Sequence, residues 1–154
     1  MIAEMSRIDK SIEIAAPPER VWQALTSARE LSEWFKMIIE GDIAPGREVW
    51  MTVTQPGEYN GMRFPVKIVE MTAPRRFVWT WHPGAVDPKM DYATEPQTTV
   101  TFTLEPSGRG TRLSVAETGF DALTLDRRAK AFNENTQGWN EVVVWLQQYV
   151  EKAH

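Results

Sequence analysis

Leu125-Asp-Arg-Arg-Ala-Lys-Ala-Phe132-Asn-Glu-Asn-Thr136-Gln-Gly-Trp139-Asn-Glu-Val-Val143-Val-Trp-Leu146-Gln-Gln-Tyr-Val150 reads as one amphipathic helix. Its stripe runs Leu125, Ala129, Phe132, Thr136, Trp139, Val143, Leu146, Val150. Alternating steps of four and three lay these side chains along one helix face. Toward the C-terminal end Val142, Trp145 and Tyr149 widen the face, whereas Thr136 and Gly138 interrupt it further up. A helix packed hard at one end and loosely in its middle predicts a hollow between it and whatever it covers. Gly138 costs a helix about 1 kcal/mol relative to alanine. Close packing against a sheet is the first expectation for it, and clearance the second.

Upstream the periodicity changes from helical to alternating. Arg7 to Ala15 sets Ile8, Ile12 and Ile14 against Asp9, Ser11 and Glu13, the pattern of a half-buried strand. Pro17-Pro18 ends it and opens a short helix carrying Val21, Trp22 and Leu25. Thr26 or Ser27 caps a second one, with Leu31, Trp34 and Phe35 on its apolar side. Strands are then expected at Met37–Glu40, Glu48–Gln55, Phe64–Thr72, Phe77–His82, Thr98–Leu104 and Thr111–Thr118. Turn residues such as Pro56-Gly57, Asn60-Gly61 and Gly108 separate them. Short turns between successive strands imply an antiparallel meander. One connection is long: fifteen residues from Pro83 to Gln97, a length at which loops often act as lids or binding loops.

Composition narrows the function classes. The 154 residues carry a formal net charge of −4, and Arg75-Arg76 and Arg127-Arg128 are isolated pairs, so no nucleic-acid groove is expected. No cysteine is present, which excludes thiol catalysis and a disulfide framework. No apolar run approaches the roughly 20 residues of a membrane span. Met1 to Ser6 does not read as a secretory signal, and the expectation is one cytoplasmic domain over residues 1–154. His82, Asp87, Asp91 and Glu95 have no recognised ligand spacing, and no phosphate cradle or nucleophile elbow occurs, so no metal or cofactor is expected.

Four stretches then carry a resemblance. They are Ile14-Ala-Ala-Pro-Pro-Glu-Arg-Val-Trp-Gln-Ala-Leu25, Pro74-Arg-Arg-Phe-Val-Trp-Thr-Trp81, Thr99 to Leu113 with its Pro106-Ser-Gly-Arg-Gly110 turn, and Gly138-Trp139 with the Leu146 to Val150 tail. Together they resemble the Aha-type group (activator of heat-shock ATPase homologues) of the START-like, or SRPBCC, superfamily. The resemblance implies an α+β helix-grip fold: a curved antiparallel sheet of six to seven strands around a long C-terminal helix, with two short helices after the first strand. It implies a cavity that holds a small hydrophobic or aromatic ligand, and at most a distant link to stress response. The co-chaperone's additional N-terminal domain has no counterpart in these residues, so stimulation of a chaperone ATPase is not expected, and neither a protein partner nor an oligomeric state is readable.

The residues expected around such a cavity are Trp34, Phe35, Trp79, Trp81, Tyr92, Val100, Phe102, Glu117, Phe132, Thr136 and Trp139. At least half of the tryptophans are expected to be structural, because aromatic side chains at strand or helix spacing usually are, with Trp139 and the inward members of Trp79 and Trp81 the better pocket candidates. Glu117 differs in kind. Counting by twos from Leu113 and Val115 puts its carboxylate on the apolar face, where it must find partners or give up its charge. His82 alternates with Val78 and Thr80, away from Trp79 and Trp81. A second expectation, a cavity enzyme of hydrolase, cyclase or dehydratase type, rests on Glu117 or His82 as proton carrier; a chaperone-interaction module is the third.

Overall fold

The computed structural model describes residues 6–57, 59–83, 92 and 94–152. Strand β1 (Arg7–Ile14) is followed by helices α1 (Pro18–Thr26) and α2 (Ala28–Trp34). Pro18 sits in the first turn of α1, where a missing N–H costs nothing. Ser27 caps α2, its hydroxyl accepting from the Glu30 N–H at 3.3 Å. Then come β2 (Met37–Glu40), β3 (Glu48–Val53), β4 (Arg63–Thr72), β5 (Arg76–Trp81), β6 (Thr98–Ser107) and β7 (Gly110–Thr118). After a 3-10 turn at Phe120–Ala122, helix α3 runs from Leu125 to Glu151.

The strands form one seven-stranded antiparallel sheet in the order β1-β7-β6-β5-β4-β3-β2. Only β1 leaves its sequence neighbours, pairing with β7 along its whole length. The register of β4 on β5 jumps between Ile68 and Glu70, leaving Val69 as the extra residue of a bulge that bends the sheet. Where β1 meets the β6–β7 turn the backbones nearly touch: a Cβ on Gly110 would lie 2.2 Å from the Ile14 carbonyl oxygen, so only glycine fits.

The concave face carries the core. Val49, Met51, Val66, Ile68, Phe77, Trp79, Val100, Phe102, Leu104, Leu113 and Val115 are all buried on it. Outward residues alternate with them; Trp50, on the opposite face, lies under the Arg63 guanidinium at 4.1 Å. The C-terminal half of α3 docks beside β1 through Val142, Val143, Leu146 and Val150. Gln147 Nε2 donates to the Glu13 carbonyl, and the Ala15 N–H donates to the Glu151 carboxylate. Helices α1 and α2 close one end of the face, where Trp34 Nε1 donates to the Ala24 carbonyl at 2.8 Å.

The start of α3 departs from the expected stripe. Leu125 is 58% exposed and Ala129 is only half-buried, while Arg128 and Ala131 are the buried residues of that turn. The Arg128 guanidinium donates to the carbonyls of Phe120, Asp121 and Leu123, satisfying the 3-10 turn that leads into the helix. Most of the long connection after β5, residues 84–91 and 93, lies outside the described residues, and with it the expected lid and the Asp87 and Asp91 positions. Its ends are tied to α3: Arg127 donates to both Glu95 carboxylate oxygens and to the Pro83 carbonyl, and its guanidinium lies 5.1 Å from the Tyr92 ring centre.

Candidate functional site

Alternation along β7 does carry Glu117 inward, and the side chain is 1% exposed. Four donors converge on its two oxygens. Trp81 Nε1 and Thr98 Oγ1 donate to Oε2 at 2.9 and 2.5 Å. Trp139 Nε1 donates to Oε1 at 2.8 Å, and Asn135 Nδ2 reaches both oxygens at 2.9 and 3.0 Å. The geometry follows from local rules. Trp81 and Thr98 are cross-strand partners on β5 and β6, and Asn135 and Trp139 stand four residues apart on one face of α3. One carboxylate therefore ties three neighbouring strands to the middle of the long helix. Buried polar groups are tolerated only when satisfied in this way.

On the far side of Trp81 there is space. A cavity of about 640 Å³, open to solvent on one side, lies between the middle of α3 and the β2–β4 side of the sheet. Met37, Met62, Phe64 and Trp81 supply its apolar wall, with the Phe64 and Trp81 rings edge to face at 6.0 Å. Asn135, Gly138 and Glu141 supply the helix side, and His82 and Pro83 stand where β5 ends. Gly138 borders the opening. A Cβ built on it would meet nothing within 4 Å, so the glycine faces open space, and the expectation of close packing is corrected.

Of the residues expected around the cavity, Trp81 lines it. Glu117 and Trp139 lie directly behind Trp81, the two indole rings 6.0 Å apart. Trp79, Val100 and Phe102 are fully buried beneath them, with Trp79 and Phe102 at 5.1 Å. Trp34 and Phe35 pack between α2 and the sheet, Phe35 against Trp79 at 6.2 Å. Phe132 lies edge-on to Phe120 at 5.5 Å, and the Thr136 hydroxyl donates to the Phe132 carbonyl. Tyr92 is held beneath Arg127. The open space thus sits toward the β2–β4 side of the sheet, beside Trp81, and Trp139 does not line it.

Several participants escape a reading by apolar periodicity. Thr98 stands two residues before Val100 and so shares its inward face; the same alternation that exposes Glu117 could have found it. Asn135 precedes Trp139 by one turn but is polar, and an apolar count passes over it. Tyr59 and Met62 belong to the β3–β4 connection, whose turn residues predict a bend and nothing about its walls. Among the described residues no group of three or more His, Cys, Asp or Glu could hold a metal, and no helix is long and apolar enough to cross a membrane.

Comparison with known proteins gives the fold its relatives. A family model described as Activator of Hsp90 ATPase homolog 1-like protein matches residues 15–151. No curated protein sequence matches the chain. Among solved structures, protein MLL2253 from Mesorhizobium loti aligns with a TM-score of 0.75 at 23% identity, covering 96% of this chain and 98% of that one. The Aha1 dimer from Colwellia psychrerythraea aligns at 0.72 with 19% identity, covering 95% and 96%. CalU16 from Micromonospora echinospora aligns at 0.66 with 20% identity, covering 95% and 76%. At these identities the likeness speaks for the fold.

Proposed function

We propose that this chain, which belongs to the Activator of Hsp90 ATPase homolog 1-like family, binds a small hydrophobic or aromatic molecule in the cavity beside Trp81. The observation that carries the reading is the pairing of that cavity with Gly138. A helix gives up about 1 kcal/mol at this position and gains open space above an aromatic wall. The volume, about 640 Å³, falls within the range of small-molecule sites. Burial of apolar guest surface contributes roughly 25 cal/mol per Å². Asn135 and His82 are among the polar groups on the walls that would orient a guest.

The enzyme reading has one specific observation on its side, the position of His82 on the cavity wall. Glu117, the other candidate, speaks against it: both oxygens are committed to four donors and the side chain is walled off by Trp81. Binding is therefore the primary reading. Native mass spectrometry of freshly purified protein tests it, with a retained small molecule as the expected result. A thermal-shift screen with small aromatic compounds provides the second arm. Bare protein by mass, together with no melting shift from any compound, would remove the reading.

A further inference from the structure

Resting on the reading that the cavity beside Trp81 takes a guest, we propose that the guest is a planar aromatic cation, a ring system bearing an ammonium or similar positive group. The charge of the walls carries this. Glu134 and Glu141, seven residues apart and so on one face of α3, both line the cavity, and no lysine or arginine among the described residues does. Neither glutamate takes part in an ion pair among the described residues. The nearby Arg127 pairs with Glu95, at 2.7 Å, and feels the Glu134 charge only from farther away, which leaves Glu141 as the carboxylate with no such neighbour among the described residues. The basic side chain on the wall is the imidazole of His82.

A third carboxylate lies behind that wall. Glu117 accepts from two indoles, a hydroxyl and an amide, all neutral, so no cation offsets it within hydrogen-bond reach. The same wall is built from Phe64 and Trp81, whose ring faces attract cations, and from the polarizable thioethers of Met37 and Met62. An anionic guest, a fatty acid or an aromatic acid, would bring its carboxylate against Glu134 and Glu141, with no lysine or arginine among the described lining residues to receive it. Aromatic walls with a carboxylate rim fit the opposite charge.

Calorimetric titration with three probes of one ring size tests this: 1-naphthylmethylammonium, neutral 1-naphthalenemethanol and 1-naphthoate, at low salt and pH 7.5. The cation is expected to bind about tenfold more tightly than the alcohol, with naphthoate weakest. In Glu134→Gln/Glu141→Gln the cation should fall to within about twofold of the alcohol, whose own affinity stays unchanged. Both positions face solvent in part, so the double variant should fold, and its circular dichroism melt checks that. Binding of the alcohol without a preference for the cation, or with a preference for naphthoate, overturns the inference and leaves the cavity reading intact. A cation preference that survives the double substitution overturns the role given to these carboxylates. Failure of all three probes to bind overturns the inference of a planar aromatic guest, while the cavity reading stands or falls with the mass spectrometry and the thermal-shift screen.

Discussion

At Glu117, two carboxylate oxygens meet four donors in a place that water does not reach. Glu117→Gln replaces one acceptor with an N–H₂ that faces donors, so we expect a loss of about 1–3 kcal/mol, read as a lower urea midpoint with an unchanged slope. An unchanged midpoint would mean that the cage holds nothing together. Gly138→Ala should act in the opposite direction. With nothing within 4 Å of the new methyl, helix propensity alone applies, and the melting temperature should rise by the equivalent of up to about 1 kcal/mol. A destabilised Gly138→Ala would show that the helix needs the glycine for packing after all. Both residues could be singled out in the sequence, Glu117 by alternation and Gly138 by its place in a helix. Their partners were less visible. Thr98 followed the same alternation but carried no apolar signal, and Asn135 was hidden because its neighbour Thr136 filled the stripe.

The elements themselves were legible wherever one face is apolar and the other is not. Strands β1 and β3 to β7, the two short helices and the C-terminal half of α3 follow the period-2 and period-3.6 patterns closely, because burial enforces them. The start of α3 did not, since its inward residue is an arginine. Arg128 is buried to bond three carbonyls, and counting apolar residues pushed the stripe onto Leu125, which faces solvent. At its other end α3 is tied to α2 by a hydrogen bond, and α1 to α2 by an ion pair. The Tyr149 hydroxyl lies 2.9 Å from Glu30 and 2.8 Å from Glu33 and donates to one at a time, and Arg20 lies 2.7 Å from Glu30.

Burial and the two carboxylates push the Tyr149 hydroxyl up to about 12. A folded value above the unfolded one means that its stabilisation is complete below pH 10 and is lost as pH rises through 12. Tyr149→Phe should therefore be less stable than wild type at pH 8, with the gap closing between pH 10 and 12 in urea titrations. A constant gap across that range would contradict the geometry. Burial pushes the Glu30 carboxyl up, but hydrogen bonds from Arg20 and Tyr149 and the charges of Arg20 and Arg29 together hold it below the usual carboxylate range. Its contribution is present above pH 4.5 and fades as pH falls below that value.

On the scale of the whole molecule, a bent sheet grips a helix that reaches it firmly beside β1 and stands off from it on the β2–β4 side. That asymmetry, visible in the uneven stripe of α3, is what the sequence discloses of the hollow. The position of the cavity was not disclosed, because the walls that face α3 come from β2, β4, the end of β5 and the β3–β4 turn, which no helix pattern reports. The Glu117 cage and the cavity share Trp81, so the stability of the core and the shape of the cavity wall are coupled through one indole. The most direct test fills the space from the helix side. Wild type and Gly138→Trp are titrated with 1-naphthalenemethanol by calorimetry, with thermal melts recorded in parallel. Saturable one-to-one binding to wild type, lost in a Gly138→Trp protein that still melts cooperatively, is the predicted result; equal binding by the two proteins would contradict it.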